Sequence, residues 1–135
     1  MEKIIKSTPK RPVKSQTINS DSQLFKTILT ALQNKKAEKI VSLNLTNIEE
    51  AVTDFFFICE VESNVQMETL QMEVEKLVWE ECHEKPYQAE IGEEWTLLDY
   101  INIVVHIFKP ESRRFYDLEG LWIDSERIEH GDSSK

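Results

Sequence analysis

Three histidines, two cysteines and 25 carboxylates are the side chains with which this chain could do chemistry, and their spacing argues for structural work. His83 adjoins Cys82 and Glu84, but neighbours on a helix point about 100° apart and do not close on one ion. His106 sits in Val104-Val105-His106-Ile107, the setting of a hydrogen-bonded structural histidine rather than a general base. His130 lies in a polar tail, and no serine or cysteine has a convincing neighbouring base. The glycines are Gly92, Gly120 and Gly131, too few and too scattered for a dinucleotide fingerprint or a phosphate loop. Asp54 and Asp99 fall at the ends of expected strands. Such a pair could share Mg²⁺, or each could cap a turn. No catalytic residue, metal ligand or cofactor is assigned, and the chain is not expected to be an enzyme.

One segment has the character of a binding surface: Trp95-Thr96-Leu97-Leu98-Asp99-Tyr100. Strand alternation puts Trp95, Leu97 and Asp99 on one face and Thr96, Leu98 and Tyr100 on the other. One face can go to the core; the other must meet a helix, solvent or a partner. A tryptophan beside an aliphatic side chain and a carboxylate has the composition of an interface hot spot. A core tryptophan is the alternative.

The elements that must hold this segment follow from periodicity. Residues 1–21 mix Lys, Ser, Thr and Pro without a repeat and are expected to form a flexible basic arm, with a contact to RNA as its functional alternative. Order begins near Asp21 or Ser22, either of which can cap a helix carrying Leu24, Ile28, Leu29 and Leu32 inward. Apolar and polar residues alternate after Ile40, giving a strand, and residues 55–59 are apolar without a break, which predicts a strand buried on both faces at the centre of the sheet. Ser63 or Asn64 starts a long helix with Met67, Leu70, Val74, Leu77 and Val78 inward, and Pro86 forbids its continuation. Strands over 87–91, 95–100 and 102–108 follow. Pro110 then opens a short helix anchored by Phe115, Tyr116, Leu118, Leu121 and Trp122. This order predicts the α/β class in its α+β form: a mixed sheet of about five strands with the long helix and the shorter N-terminal helix packed on it. One domain is expected over 22–123, with 124–135 as a flexible tail.

Charge is divided along the chain. Residues 1–23 carry five basic and two acidic side chains, a local +3, so a net charge of −9 leaves about −12 on the remainder. A body this acidic is repelled by bare phosphate and steered toward basic surfaces. Sequence-specific nucleic-acid binding by the body and a membrane role are not expected. With two cysteines and no secretory or membrane-spanning apolar run, the expected location is cytoplasmic.

Several colinear blocks resemble a known family. Leu97-Leu98-Asp99-Tyr100, Val104-Val105-His106-Ile107-Phe108 and Phe115-Tyr116-Asp117-Leu118-Glu119-Gly120-Leu121-Trp122 are similar to the closing signature of the Iojap, or ribosomal silencing factor RsfS, family. Upstream, Lys36-Ala37-Glu38-Lys39-Ile40-Val41 and Thr53-Asp54-Phe55-Phe56-Phe57-Ile58-Cys59 match its earlier blocks, so the resemblance spans residues 24–123. It implies a nucleotidyltransferase-like fold without the catalytic Gly-Ser turn and paired acids of those enzymes. It also implies binding to ribosomal protein fourteen of the large subunit, which blocks small-subunit joining and represses translation, and a tendency to form homodimers. By position, the partner-binding residues become Trp95, Leu97, Leu98, Asp99 and Tyr100. Two departures stand out: Glu60-Val61 where the family usually has Thr-Gly, and Ile101-Asn102 where it usually has Gly-Asp. Both imply altered turns flanking the binding strand. A metal-dependent enzyme using Asp54 and Asp99, or a general adaptor for a basic protein, are the alternatives.

Overall fold

Residues 55–59, apolar without interruption, sit at the middle of the sheet and are buried on both faces. The computed structural model describes Pro12 and residues 16–131; the expected basic arm over 1–21 therefore falls largely outside the described residues. Six strands form one sheet: β1 (Glu38–Asn44), β2 (Phe55–Glu60), β3 (Gln88–Glu90), β4 (Trp95–Asp99), β5 (Ile103–Phe108) and β6 (Glu126–His130), in the order β3-β4-β5-β2-β1-β6. Only β2 and β5 run parallel; every other neighbouring pair is antiparallel. The mixed α+β architecture matches the expectation, and β2 occupies the central position that its unbroken apolar run called for.

Alternation along β2 divides the core. Phe55, Phe57 and Cys59 join the cluster under helices α1 (Gln23–Asn34) and α2 (Asn64–Cys82), where Phe25 sits 4.9 Å from Phe55 and 4.7 Å from Phe57, centroid to centroid. Phe56 and Ile58 join the opposite cluster, closed by the short helix α3 (Pro110–Tyr116), the one-turn helix α4 (Leu118–Leu121) and the 45–51 connector. Ser22 caps α1 by accepting from Phe25 N–H at 3.2 Å, and Ser63 caps α2 by accepting from Gln66 N–H at 3.0 Å. The α2 helix ends on His83, whose left-handed φ of 55° turns the chain before Pro86. No helix among the described residues is long and apolar enough to cross a membrane.

Two expectations are corrected. The tail expected after Asp124 contains β6, an edge strand paired with β1 from Ile40↔His130 to Asn44↔Glu126. Its side chains are mostly exposed, so backbone pairing rather than an apolar face holds it, and its charges suit a strand with one open edge. The helix opened by Pro110 breaks at Asp117, whose φ of 46° separates α3 from α4. Leu118 is buried and Tyr116 and Trp122 are half-buried, as anchors should be, but Phe115 (78% exposed) and Leu121 point outward.

Buried charge ties these last elements to the sheet. Arg113 donates through Nη1 to Lys39 O (2.8 Å) and to Glu60 Oε1 (3.2 Å), and through Nε and Nη2 to Glu119 (3.2 and 3.1 Å). Arg127 of β6 adds a second guanidinium to Glu119. A register shift between Glu38 and Val41, with Lys39 at φ 51°, marks the place where the Lys39 carbonyl meets Arg113. Here lies the consequence of the first family departure. Val61 packs into the core under α1 and α2, and Glu60 turns its carboxylate onto Arg113.

Candidate partner-binding site

Trp95 starts β4 opposite Phe108 of β5, and its indole lies under Tyr116 of α3, with ring centroids 4.7 Å from Phe108 and 4.8 Å from Tyr116. Its Nε1–H donates to His106 Nδ1 at 3.1 Å. Because Nδ1 accepts, the neutral imidazole carries its proton on Nε2. Burial pushes the His106 pKa down to about 3, so the ring stays uncharged at neutral pH. This is a core histidine with a hydrogen bond, as its sequence setting predicted.

Asp99 ends β4, and its carboxylate accepts from Ile101 N–H at 2.8 Å. Next comes a tight reversal: Asn102 N–H donates to Tyr100 O (2.8 Å) across Ile101, and Tyr100 N–H donates to Ile103 O (2.8 Å). With Ile101 at φ 74°, this is a γ-turn of the positive-φ kind, rare and strained for any residue with a Cβ and worst for a β-branched one. Ile101 stands where the resemblance expects glycine. Ile101→Gly should therefore raise unfolding free energy by about 1 kcal/mol, the relief of a strained φ set against the greater unfolded-state entropy of glycine. Urea denaturation with an unchanged m-value checks it; a lower midpoint would contradict the strain.

Around that turn the chain is latched by hydrogen bonds. Asn102 Nδ2 donates to Asp54 Oδ2 and to Gln16 O, both at 2.8 Å, while Ile18 N–H donates to the same Asp54 oxygen at 3.0 Å. The Asn102 carbonyl accepts from the backbone N–H groups of Asp54 (2.9 Å) and Phe55 (3.1 Å). Thr53 Oγ1 donates to Ile101 O at 2.8 Å. Asn102 thus donates where the family's usual aspartate would set a second carboxylate against Asp54. Asp54 and Asp99, the alternative metal pair, are each occupied by N–H donors, which are the partners of turn-forming acids rather than of cation ligands. No group of three or more His, Cys, Asp or Glu side chains able to hold a metal ion occurs among the described residues.

The five residues assigned to partner binding are together on one strand and its exit, and all five are buried: Trp95 and Tyr100 are 2% exposed, Leu97, Leu98 and Asp99 0%. Trp95 and Leu97 belong to the cluster beneath α3 and α4; Leu98 and Tyr100 belong to the one beneath α1 and α2. Burial, with the charges of Glu75 and Glu84 behind it, pushes the Tyr100 phenol well up. The face left open by alternation is therefore met by a helix. These side chains form the floor of a surface whose exposed rim lies elsewhere. At the start of β4 that rim holds the exposed Glu93 and Glu94, with Ile91 and Tyr87 flanking the short edge strand β3. The Glu94 carbonyl accepts from Lys109 N–H (3.0 Å), and its carboxylate accepts from Ser112 Oγ (3.3 Å), fixing it against α3. Phe115 stands on the far side of Tyr116, centroids 4.9 Å apart. Sequence reasoning placed Phe115 among the anchors, though adjacency to Tyr116 was the available signal: two neighbours on one helical turn cannot both face the sheet.

Comparison with known proteins agrees with this architecture. The family described as "Ribosomal silencing factor during starvation" (RsfS) matches residues 18–135. A Ribosomal silencing factor RsfS from Halalkalibacterium halodurans is 34% identical over 111 residues, covering 82% of this chain and 94% of that protein. The chloroplastic protein Iojap of Zea mays is 32% identical over 77 residues, 57% of this chain and 34% of its own length. A crystal structure of a Bacillus halodurans protein superposes with a TM-score of 0.68 at 32% identity, covering 83% of this chain and all of that one. The family match over residues 18–135 and the 34% identity to a silencing factor covered over 94% of its length lead to one conclusion: the chain belongs to the RsfS/Iojap family of ribosomal silencing factors.

Proposed function

We propose that the chain binds the large ribosomal subunit through ribosomal protein fourteen, occupies the face on which the small subunit docks, and so represses translation in the cytoplasm. The carrying observation is the hairpin of β4 and β5, a rigid buried floor beneath an exposed rim of Glu93, Glu94 and Phe115. Trp95, Leu97, Leu98, Asp99 and Tyr100 act here by shaping that rim. An acidic rim suits a basic protein, and an exposed aromatic beside it supplies the apolar anchor that charge alone does not. About 800 Å² per partner would suffice for a specific complex. Steric occlusion needs no catalytic group. A homodimer of the free chain belongs to the same reading.

Co-sedimentation with purified large subunits tests it. Because both side chains are exposed, Glu94→Arg and Phe115→Asp should leave the melting temperature nearly unchanged. Each should weaken binding about 30-fold, the equivalent of a hot spot near 2 kcal/mol. Unaltered pelleting of both variants would remove this rim from the interface.

A further inference from the structure

Helix α2 is apolar on two sides, and the sheet uses only one of them. Met67, Leu70, Val74 and Val78 are buried against the core. Val65, Met72 and Trp79 stand on the opposite side, 73%, 58% and 49% exposed. Residues seven apart on a helix differ by only about 20° around its axis, so these three form one straight stripe along its length. Single apolar side chains on a surface are ordinary, but three in register along one helix make a continuous face.

The largest member of the stripe is already set in place. Trp79 meets the His83 ring edge-on at 5.7 Å, and Lys85 Nζ lies 5.4 Å from the indole centroid. A tryptophan held this way loses little freedom on binding, which suits an interface anchor. Charge then decides what can cover the stripe. Along α2, Glu68, Glu73, Glu75, Glu80 and Glu81 stand against Lys76 alone, a net −4. A second copy would bring another −4 against it, whereas a basic partner gains from the same flanks.

We infer that α2 is a docking face for a basic amphipathic helix of another protein. That helix lays its own apolar heptad stripe along Val65, Met72 and Trp79 and carries Lys or Arg beside it. Two helices meeting through such stripes cross at about 20°, which keeps all three residues in one interface. Opposite charges on the flanks then select the partner and its orientation. Helix α2 covers one face of the sheet and α3 the other, so a partner seated on Phe115 leaves this stripe free. The inference is independent of ribosomal docking.

The test uses the full chain and two synthetic helices of three heptads with leucine at a and d. One carries lysine at e and g, the other glutamate. Calorimetry in salt of about 0.15 M measures binding. The lysine helix should bind, and the glutamate helix should bind at least about 10-fold more weakly. Met72→Gln combined with Trp79→Gln keeps the charge and, at exposed positions, nearly the same melting temperature. This double variant should bind the lysine helix about 30-fold more weakly. Phe115→Asp should leave that affinity nearly unchanged, which separates this face from the rim of β4. No binding of the lysine helix, or equal binding of both helices, would overturn the inference. So would undiminished binding by the double variant, which would mean that acidity alone attracts the peptide. Sedimentation of the free chain adds one more outcome: a wild-type dimer that the double variant abolishes would give the stripe to a second copy and overturn the inference as well.

Discussion

Arg113→Ala should lower unfolding free energy by about 3–5 kcal/mol, the cost of leaving one partner of a buried ion pair behind. Arg113 is 8% exposed and Glu60 6%. The deletion strands the Glu60 carboxylate and the Lys39 carbonyl at once, and it removes half of the cation cover from Glu119. Arg113→Lys should recover only part of the loss, because an ammonium cannot reach the carbonyl and both carboxylates in a fork. Chemical denaturation of the three proteins at pH 7 decides it. Near-wild-type stability of Arg113→Ala would mean that the network is solvated. The acid limb offers a second readout. Burial alone would raise the Glu119 carboxyl, but Arg113 and Arg127 outweigh it and hold the group below its usual range. Its contribution is therefore present above the unfolded carboxylate pKa and is lost as pH falls below about 4.5. In Arg113→Ala that component of the acid loss should shrink.

Trp95→Ala should cost about as much, roughly 3–5 kcal/mol, for a different reason: it opens a cavity between Phe108 and Tyr116 and takes the donor from His106. Trp95→Phe separates the two contributions. It keeps most of the ring packing but leaves Nδ1 of His106 without its N–H, so about 1–3 kcal/mol should go. Thermal melts with calorimetric enthalpy measure both, and a loss below 1 kcal/mol for Trp95→Ala would refute the buried placement. The His106 pKa, depressed in the folded state to about 3, sets the sign of an accompanying pH effect. Between about pH 6.5 and 3 the unfolded chain holds the extra proton, so stability conferred by the neutral ring is full above 6.5 and drains as the pH falls. These magnitudes also bear on how the binding surface is probed. Substituting Trp95 or the equally buried Asp99 disturbs the fold before it can report on a partner, whereas Glu94 and Phe115 are exposed.

Much of the architecture was legible from local pattern. The run at residues 55–59 announced a central strand because only a two-faced burial consumes five apolar side chains in a row. Ser22 and Ser63 announced the helix starts because a hydroxyl there satisfies an amide that the helix cannot. What escaped was decided by partners distant in sequence. The β6 strand carries no apolar period, since it is held by backbone pairing to β1 and by Arg127 and Glu129. Glu60 reads as a solvated acid until Arg113, 53 positions later, lies against it. Alternation in β4 correctly separated its two faces, but it could not show that Tyr116, Leu118 and Trp122 would cover the second one. Residues 95–99 were therefore read correctly as one strand of the fold, while the exposed side chains lie on its rim.

The single parallel pairing in the sheet has a kinetic consequence. Strands β1 and β2 are antiparallel neighbours joined by a ten-residue connection, and β3, β4 and β5 form a meander with short turns, so each half can assemble from local contacts. These two groups of strands meet at β2 against β5, from Phe55↔Ile103 to Glu60↔Phe108, across a separation of 48 residues, and β6 then pairs with β1 across 82 to 90. Loop closure over 48 residues has to precede the gain from the central phenylalanines, which puts a large share of the folding barrier at that seam. Asp54 and Asn102 sit at the open end of that seam. The Asn102–Asp54 hydrogen bond is thus a rung that can align those two groups of strands.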